Sequence, residues 1–355
     1  MIETKITDLL GIKYPIIQAA MGWVTSAEMV AAVSNAGGLG TLAANAGAQT
    51  ITKDVQETGE RFRTQIRKTK ELTDKPFAVN IIVPSDEGEK QFSNACLNTV
   101  IEEQVPVAIV SQGTPNMYTQ TLKNAGIKVL HVVATPKHAK KAEDAGVDAI
   151  ITSGSEGGGH SGFDQLTTFI LVPSMTDTVK IPVIAGGGIA DGRGFIAALA
   201  LGAEGIYMGT RFILTRECPI HDNWKKALLN MSVSDTVVIK HGVYPFEKAS
   251  DVLIEMPRGA LRMALNDFTR QVIKMQSAHA SQEEILGLMY STVPGTDMSR
   301  GMASTVYGDT INGGIGAGQD IGIINDIPAC GELVKRIMNE AEEVLARVNK
   351  RLPSI

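Results

Sequence analysis

The sequence predicts an α/β protein: a TIM (β/α)8 barrel with a helical lobe inserted after its eighth strand. Three observations predict it. Short apolar runs alternate with amphipathic helical segments as far as Phe212, which is the signature of parallel βα units. The runs number eight, the count that closes a barrel. The chain has 355 residues, more than the ~250 such a barrel typically uses, so material remains for a lobe. An open doubly wound sheet shares this local rhythm, because spacing alone does not show closure.

The runs expected as strands are Pro15–Ala19, Leu39–Leu42, Phe77–Ile82 and Val107–Val110, followed by Val129–Val133, Ala149–Thr152, Val183–Ala185 and Ile206–Met208. They are short and mostly β-branched, as strands buried on both faces are. Between them lie helical patterns. Ser26–Asn35 has a Ser N-cap and stops at Gly37-Gly38; Thr52–Leu72 is long and charged. Lys137–Ala145 stops at Gly146, and Gly192–Leu201 at Gly202. Glycine just past the last periodic residue is a helix stop signal.

After Phe212 the rhythm breaks. The stretch from about 215 to 310 is helix-like and Met-rich with no clear strands, Asn223–Met231 and Gly259–Met275 being examples. The Met content suits adaptable packing. A Gly-rich stretch, Gly313–Gly322, leads to a final helix from about Pro328 to Leu352, expected to pack back on the barrel. The organisation expected is a barrel from residues 1–214 and 311–355, with residues 215–310 as a helical substrate-covering lobe.

Composition narrows the function. Net charge is −5 with both signs scattered, so no basic block points to nucleic acid or an anionic membrane. No apolar run approaches the ~20 residues of a membrane span. The start, MIETKITDLL, reads as neither signal nor transit peptide. Cys96, Cys218 and Cys330 are far apart and form no metal pair or disulfide framework, as expected of reduced thiols in a cytoplasmic protein. No histidine pair has metal spacing, and no GxSxG or Walker A pattern occurs.

In a barrel the chemistry sits where the strands end. Ala185–Ile189 (AGGGI) follows the seventh strand and Met208–Arg211 (MGTR) the eighth. These two loops frequently build a phosphate site: their glycines let backbone N–H groups face an anion, and a following helix terminus adds a favourable field. The Thr210 hydroxyl offers one more donor. Tight turns alone would also account for either loop. Gly154–Gly162 (GSEGGGHSG) follows the sixth strand and is expected to expose His160 to the cavity. Imidazole titrates near neutrality and can exchange a proton with carbon. Glu156 either orients this loop or is a solvated charge. Gln18 and Met21-Gly22 follow strand one, Asn80 lies in strand three, and Gln112-Gly113 follow strand four. His131 in strand five is expected to be a satisfied barrel-interior histidine. His138, His221, His241 and His279 are expected to be structural.

Several stretches resemble the nitronate monooxygenase (2-nitropropane dioxygenase) family of FMN enzymes. They are Tyr14–Leu42 (YPIIQAAMGWVTSAEMVAAVSNAGGLGTL), Glu71–Ile81 (ELTDKPFAVNI), the GSEGGGHSG loop, Pro182–His221 (PVIAGGGIADGRGFIAALALGAEGIYMGTRFILTRECPIH) and Gly316–Val334 (GAGQDIGIINDIPACGELV). The resemblance covers nearly the whole chain. It implies FMN, with the phosphate on Gly187, Gly188, Gly209 and Thr210, the flavin ring lined by Ala20, Met21 and Gly22, and Asn80 at the ring edge. Gln319 approaches the flavin, and His160 falls on the catalytic histidine.

The resemblance also implies a choice of activities. The phosphate region and DIPACGELV look most like an NAD(P)H:quinone reductase branch. The GGGH run, with Leu166-Thr167-Thr168 and Leu171-Val172-Pro173, looks more like the flavin enoyl-ACP reductases. Some quinone-reductase-like members carry Lys after the strand-five histidine, where this chain has Val132. The leading expectation is oxidation of alkyl nitronates with O2, His160 acting as base. The alternative is NADH or NADPH oxidation with a quinone or an enoyl thioester as acceptor. An isomerase with a phosphorylated substrate and no flavin, and a non-catalytic flavin binder, are more distant. A homodimer is left open.

Overall fold

The computed structural model describes residues 2–85, 87–241, 244–247, 253–256 and 259–352. Eight strands form the central sheet: β1 (Ile16–Gln18), β2 (Thr41–Leu42), β3 (Ala78–Ile82), β4 (Val107–Ser111), β5 (Lys128–Val133), β6 (Ala149–Thr152), β7 (Val183–Gly186) and β8 (Gly205–Met208). Neighbours are parallel, in the order β1-β8-β7-β6-β5-β4-β3-β2. The ends of that series meet, because Leu39 ahead of β2 bridges Ile17. The Gln18 amide donates to the Leu39 carbonyl and the Leu39 amide to the Ile16 carbonyl, both at 2.9 Å. This closes the sheet into a barrel and removes the doubly wound alternative.

Alternation along each strand sorts the side chains. Ile17, Ala78, Val107, Ile109, Leu130, Ala149, Ile151 and Ile184 fill the barrel interior, and Ile6 and Leu10 of the helix Lys5–Leu10 join the same cluster. Val79, Val129, Val133, Ile150 and Val183 face the helical shell. Leu130 and Val132 pack with the interior cluster, so His131 between them points outward under the shell. It is 2% exposed and its Nδ1 has no partner. The expectation of a satisfied barrel-interior histidine is therefore corrected on both counts. Strand alternation decides the face, and an apolar shell supplies no acceptor.

The helices start where their caps are. Ser26 caps Ala27–Asn35 by accepting from the Met29 amide, and Asp54 caps Val55–Leu72. The last helix, Cys330–Arg351, packs on Gly192–Ala200, as expected. Gly192 permits that approach: a Cβ there would lie 2.4 Å from the Ala341 amide nitrogen.

The segment after β8 differs from expectation. It carries the helices Asp222–Leu229, Asp267–Ser277, Gln282–Met289 and Arg300–Thr305, but also strands. Thr236–His241 pairs antiparallel with Gly259–Ala264, and Tyr244–Glu247 pairs antiparallel with Leu253–Met256. Gly259–Met275 is not one helix, because Asn266 caps a helix that begins at Asp267. Gly259–Ala264 is a strand because both its edges find partners: Thr236–His241 on one side, and on the other Gly159–Ser161, the strand bearing His160. The second partner lies about a hundred residues away, where no local periodicity reports it. Among the described residues no helix is long and apolar enough to cross a membrane.

Candidate active site

Four glycine-bearing segments converge at the C-terminal mouth of the barrel. Gly186 and Tyr207 are register partners, so the loops after β7 and β8 leave side by side. The loop after β6 packs on the β7 loop, with the Gly154 amide donating to the Gly186 carbonyl at 2.8 Å. A Cβ on Gly187 would meet Thr168 Oγ1 at 2.4 Å and Gly154 Cα at 2.9 Å. The C-terminal stretch completes the ring. The Gln319 amide donates to the Glu156 carbonyl at 2.8 Å, and the Gly318 amide to Thr210 Oγ1 at 2.9 Å. Gln319 is thus tied to the histidine loop by its backbone, while its side chain is exposed.

These loops fit a phosphate. Gly187 and Gly188 have φ of +125° and +66°, conformations glycine tolerates and other residues resist. Among the described residues, no hydrogen bond uses the amides of Gly187, Gly188, Gly209 or Thr210. Four donors without a protein partner on two adjacent loops suit an anion, which can accept from several of them at once. The expected help from the helix after β7 is corrected, however. Asp191 caps that helix, accepting from the Arg193 amide at 2.9 Å and the Gly194 amide at 3.2 Å. That N-terminus is already satisfied, so the helix start open to an anion is the one after β8, Thr210–Ile213, which begins on the unpaired Gly209 and Thr210 amides.

The ring-lining candidates sit next to this cradle. Met21 reaches the β8 loop, since a Cβ on Gly209 would lie 3.6 Å from its Sδ. The Ala20 amide donates to Tyr207 Oη at 3.0 Å, and Gly22 is exposed. Burial pushes the Tyr207 hydroxyl up to about 12, so it stays protonated. Asn80 is buried and donates through Nδ2 to the Ile109 carbonyl (2.8 Å) and Ser111 Oγ (3.1 Å). Among the described residues nothing donates to Asn80 Oδ1, which suits an N–H at a flavin edge. Trp23 in the same loop holds φ +65°, uncommon for a bulky residue.

His160 is exposed, and its carbonyl accepts from Ser153 Oγ at 3.1 Å. The strand Gly159–Ser161 fixes its backbone to the added lobe, with Leu261 opposite His160. Glu156 orients the loop: its carboxylate accepts from the Thr168 amide (2.9 Å to each oxygen) and Thr168 Oγ1 (3.0 Å), at the start of the helix Thr168–Thr176. A carboxylate there also meets the positive end of the helix dipole. Arg262 from the lobe donates through Nε to the Ser155 carbonyl at 2.7 Å. A cavity of about 510 Å³ lies to one side, between Trp23, Asn45, Arg61 and Phe92. None of the cradle loops lines it.

Four residues of the site escaped the sequence reading. Tyr207 was legible, because alternation along β8 turns it inward. Thr168 and Asp320 lie in stretches already singled out, but their partners come from other loops. Arg262 gave no signal, as its strand was expected to be helix. Asp320 carries the largest perturbation of these: burial pushes its carboxyl up to about 7. Glu156 adds to the rise, while Thr210 and Arg211 oppose it.

Two adjacent barrel loops that fit a phosphate, beside a polar mouth that holds a histidine, suit an FMN-dependent oxidoreductase. Comparison with known proteins then names the family. The chain belongs to the nitronate monooxygenase family, whose model matches residues 3–340. A relative from Rhodococcus jostii (strain RHA1), named (3aS,4S,5R,7aS)-5-hydroxy-7a-methyl-1-oxo-octahydro-1H-indene-4-carboxyl-CoA dehydrogenase, is 34% identical over 96% of each chain. A probable nitronate monooxygenase from Staphylococcus saprophyticus is 38% identical over 67% of this chain and 75% of its own. Among solved structures, FabK from Thermotoga maritima superposes with a TM-score of 0.81 at 34% identity, covering 99% of this chain and 100% of that one.

Proposed function

We propose that this chain exchanges hydrogen across the bond between the carbons α and β to the carbonyl of an acyl thioester. The observation that carries this is the extent of likeness. The relative named as a carboxyl-CoA dehydrogenase matches 96% of both chains, whereas the nitronate monooxygenase relative matches 67% of this one. The lobe strand Gly259–Ala264 pairs with the His160 strand, so a match that extends through the lobe bears on the substrate.

FMN, when bound, supplies a two-electron redox centre at the mouth. Gly187, Gly188, Gly209 and Thr210 would hold its phosphate, Ala20, Met21 and Gly22 would line its ring, and Asn80 and Gln319 would serve the ring's surroundings. His160 takes the proton from the α carbon in the oxidising direction and returns it in the reducing one. Its exposure lets that proton reach solvent. A positioned base typically contributes ~10²–10⁴-fold. NADH or NADPH is the electron donor in the reducing direction. Residues 215–310 cover the substrate.

Oxidation of an alkyl nitronate with O2 is the second reading, favoured by the family model across residues 3–340. The chemistry is related: a nitroalkane also carries an acidic α hydrogen that His160 can remove. Anaerobic spectra of the FMN-loaded protein decide between them. Bleaching by NADH or NADPH, with reoxidation by an enoyl thioester, supports the proposal. Bleaching by a nitronate alone transfers it to the second reading, and reoxidation by quinone but not thioester overturns both.

A further inference from the structure

Asp320 stands where a phosphate site would not be expected to hold a carboxyl. It is buried at the start of the short 3-10 turn Gln319–Ile323. Its carboxyl abuts Gly318 so closely that a Cβ there would lie 2.3 Å from Oδ1. The Gly318 amide in turn donates to Thr210 Oγ1 at 2.9 Å. Carboxyl, glycine and hydroxyl therefore form one contact group, and its last member belongs to the cradle loop.

The charges acting on Asp320 come from two other segments. Arg211, after β8, favours the ionised form, but its guanidinium already serves the Leu214 carbonyl (2.9 Å) and Asp326 (3.1 Å to Oδ1). Glu156, after β6, opposes ionisation, and its own carboxylate is held by Thr168. The facing Thr210 hydroxyl draws Asp320 toward the carboxylate. It has one hydrogen, and its oxygen already accepts from Gly318.

We propose that Asp320 makes capture of the flavin phosphate proton-linked. As a carboxylate it turns the Thr210 hydrogen toward itself and sets a negative charge beside the incoming anion. As a neutral carboxyl it does neither, and the Thr210 hydrogen is released to the phosphate. Binding FMN therefore takes up a proton at Asp320. The inference rests on the cradle assignment above and adds a positioning residue to it.

The sign follows from linkage. Burial pushes the carboxyl of the free protein up to about 7, and a bound phosphate raises it further. Affinity is then greatest near or below that value and falls as pH rises. The limit is roughly tenfold per pH unit for one linked proton. A phosphate monoester has its second ionisation near about 6, so it stays a dianion from pH 7 upward. Titration of apoprotein with FMN, followed by flavin fluorescence from about pH 7 to 9, should show a Kd rising about ten- to thirtyfold. Asp320→Asn should flatten this dependence and hold the tight limit at alkaline pH. Calorimetry of the unsubstituted protein in buffers of different ionisation enthalpy should show net proton uptake near pH 8, a readout that needs no variant.

A pH-independent Kd with no proton uptake overturns the inference. So does an Asp320→Asn variant weakened equally at every pH, which would make the carboxyl a plain structural anchor. Absence of FMN binding at any pH fails the cradle assignment instead.

Discussion

Replacing Gly188 by alanine tests the cradle most directly. Its φ of +66° costs an L-residue ~1–2 kcal/mol, and the new Cβ would lie 3.0 Å from Glu156 Cβ. That neighbour cannot yield freely, because Glu156 is held by Thr168. The loop must therefore shift by some tenths of an ångström and turn the Gly187 and Gly188 amides off the anion. Losing one charge-assisted hydrogen bond costs ~1.5–3 kcal/mol, or about 10- to 100-fold in FMN affinity. Gly126→Ala is the control. It has φ +77° with nothing within 4 Å of the added methyl, and it lies far from the mouth, between the helix Thr119–Asn124 and β5. Both variants should lower Tm, and only Gly188→Ala should weaken FMN in a fluorescence titration. Equal FMN affinity in the two would refute the cradle.

Other outcomes follow from the same geometry. His160→Asn should lower turnover by ~10²–10⁴-fold with FMN affinity and Tm intact; unchanged steady-state turnover would remove its role as base. Tyr207→Phe deprives the Ala20 amide of its 3.0 Å acceptor. A loss of ~1–3 kcal/mol in urea unfolding is expected, and an unaltered midpoint would mean the amide has another partner. His131 is depressed to about 4 by burial, with His138 adding to the effect, whereas the unfolded chain titrates near ~6.5. As pH falls from about 6.5 to 4, the unfolded state binds the proton first, and stability is lost by ~3 kcal/mol in all. His131→Leu should make unfolding free energy flatter between pH 7 and pH 5, because Nδ1 has no partner to lose. A slope equal to that of the unsubstituted protein would contradict this.

The sequence by itself determined the eight βα units, because each is a local pattern: an apolar run, a cap such as Ser26 or Asp54, a glycine stop; their closure into a barrel was decided by the pairing of Leu39 with Ile17. The sequence also placed Gly187, Gly188, Gly209 and Thr210 in the two loops that follow β7 and β8, since strand order fixes which loops are neighbours. Only the tertiary structure decided what those loops meet. Gly318 on Thr210, Gln319 on Glu156 and Glu156 on Thr168 join segments far apart in the chain. The strand at Gly259–Ala264 exists through its pairing with Thr236–His241 and the His160 loop, so its Ala, Leu and Met residues, read locally, suggested helix. Burial likewise acts through space: it disfavours the charged forms of His131 and of Asp320, because the desolvation of a charge depends on what surrounds it and not on what precedes it in the chain.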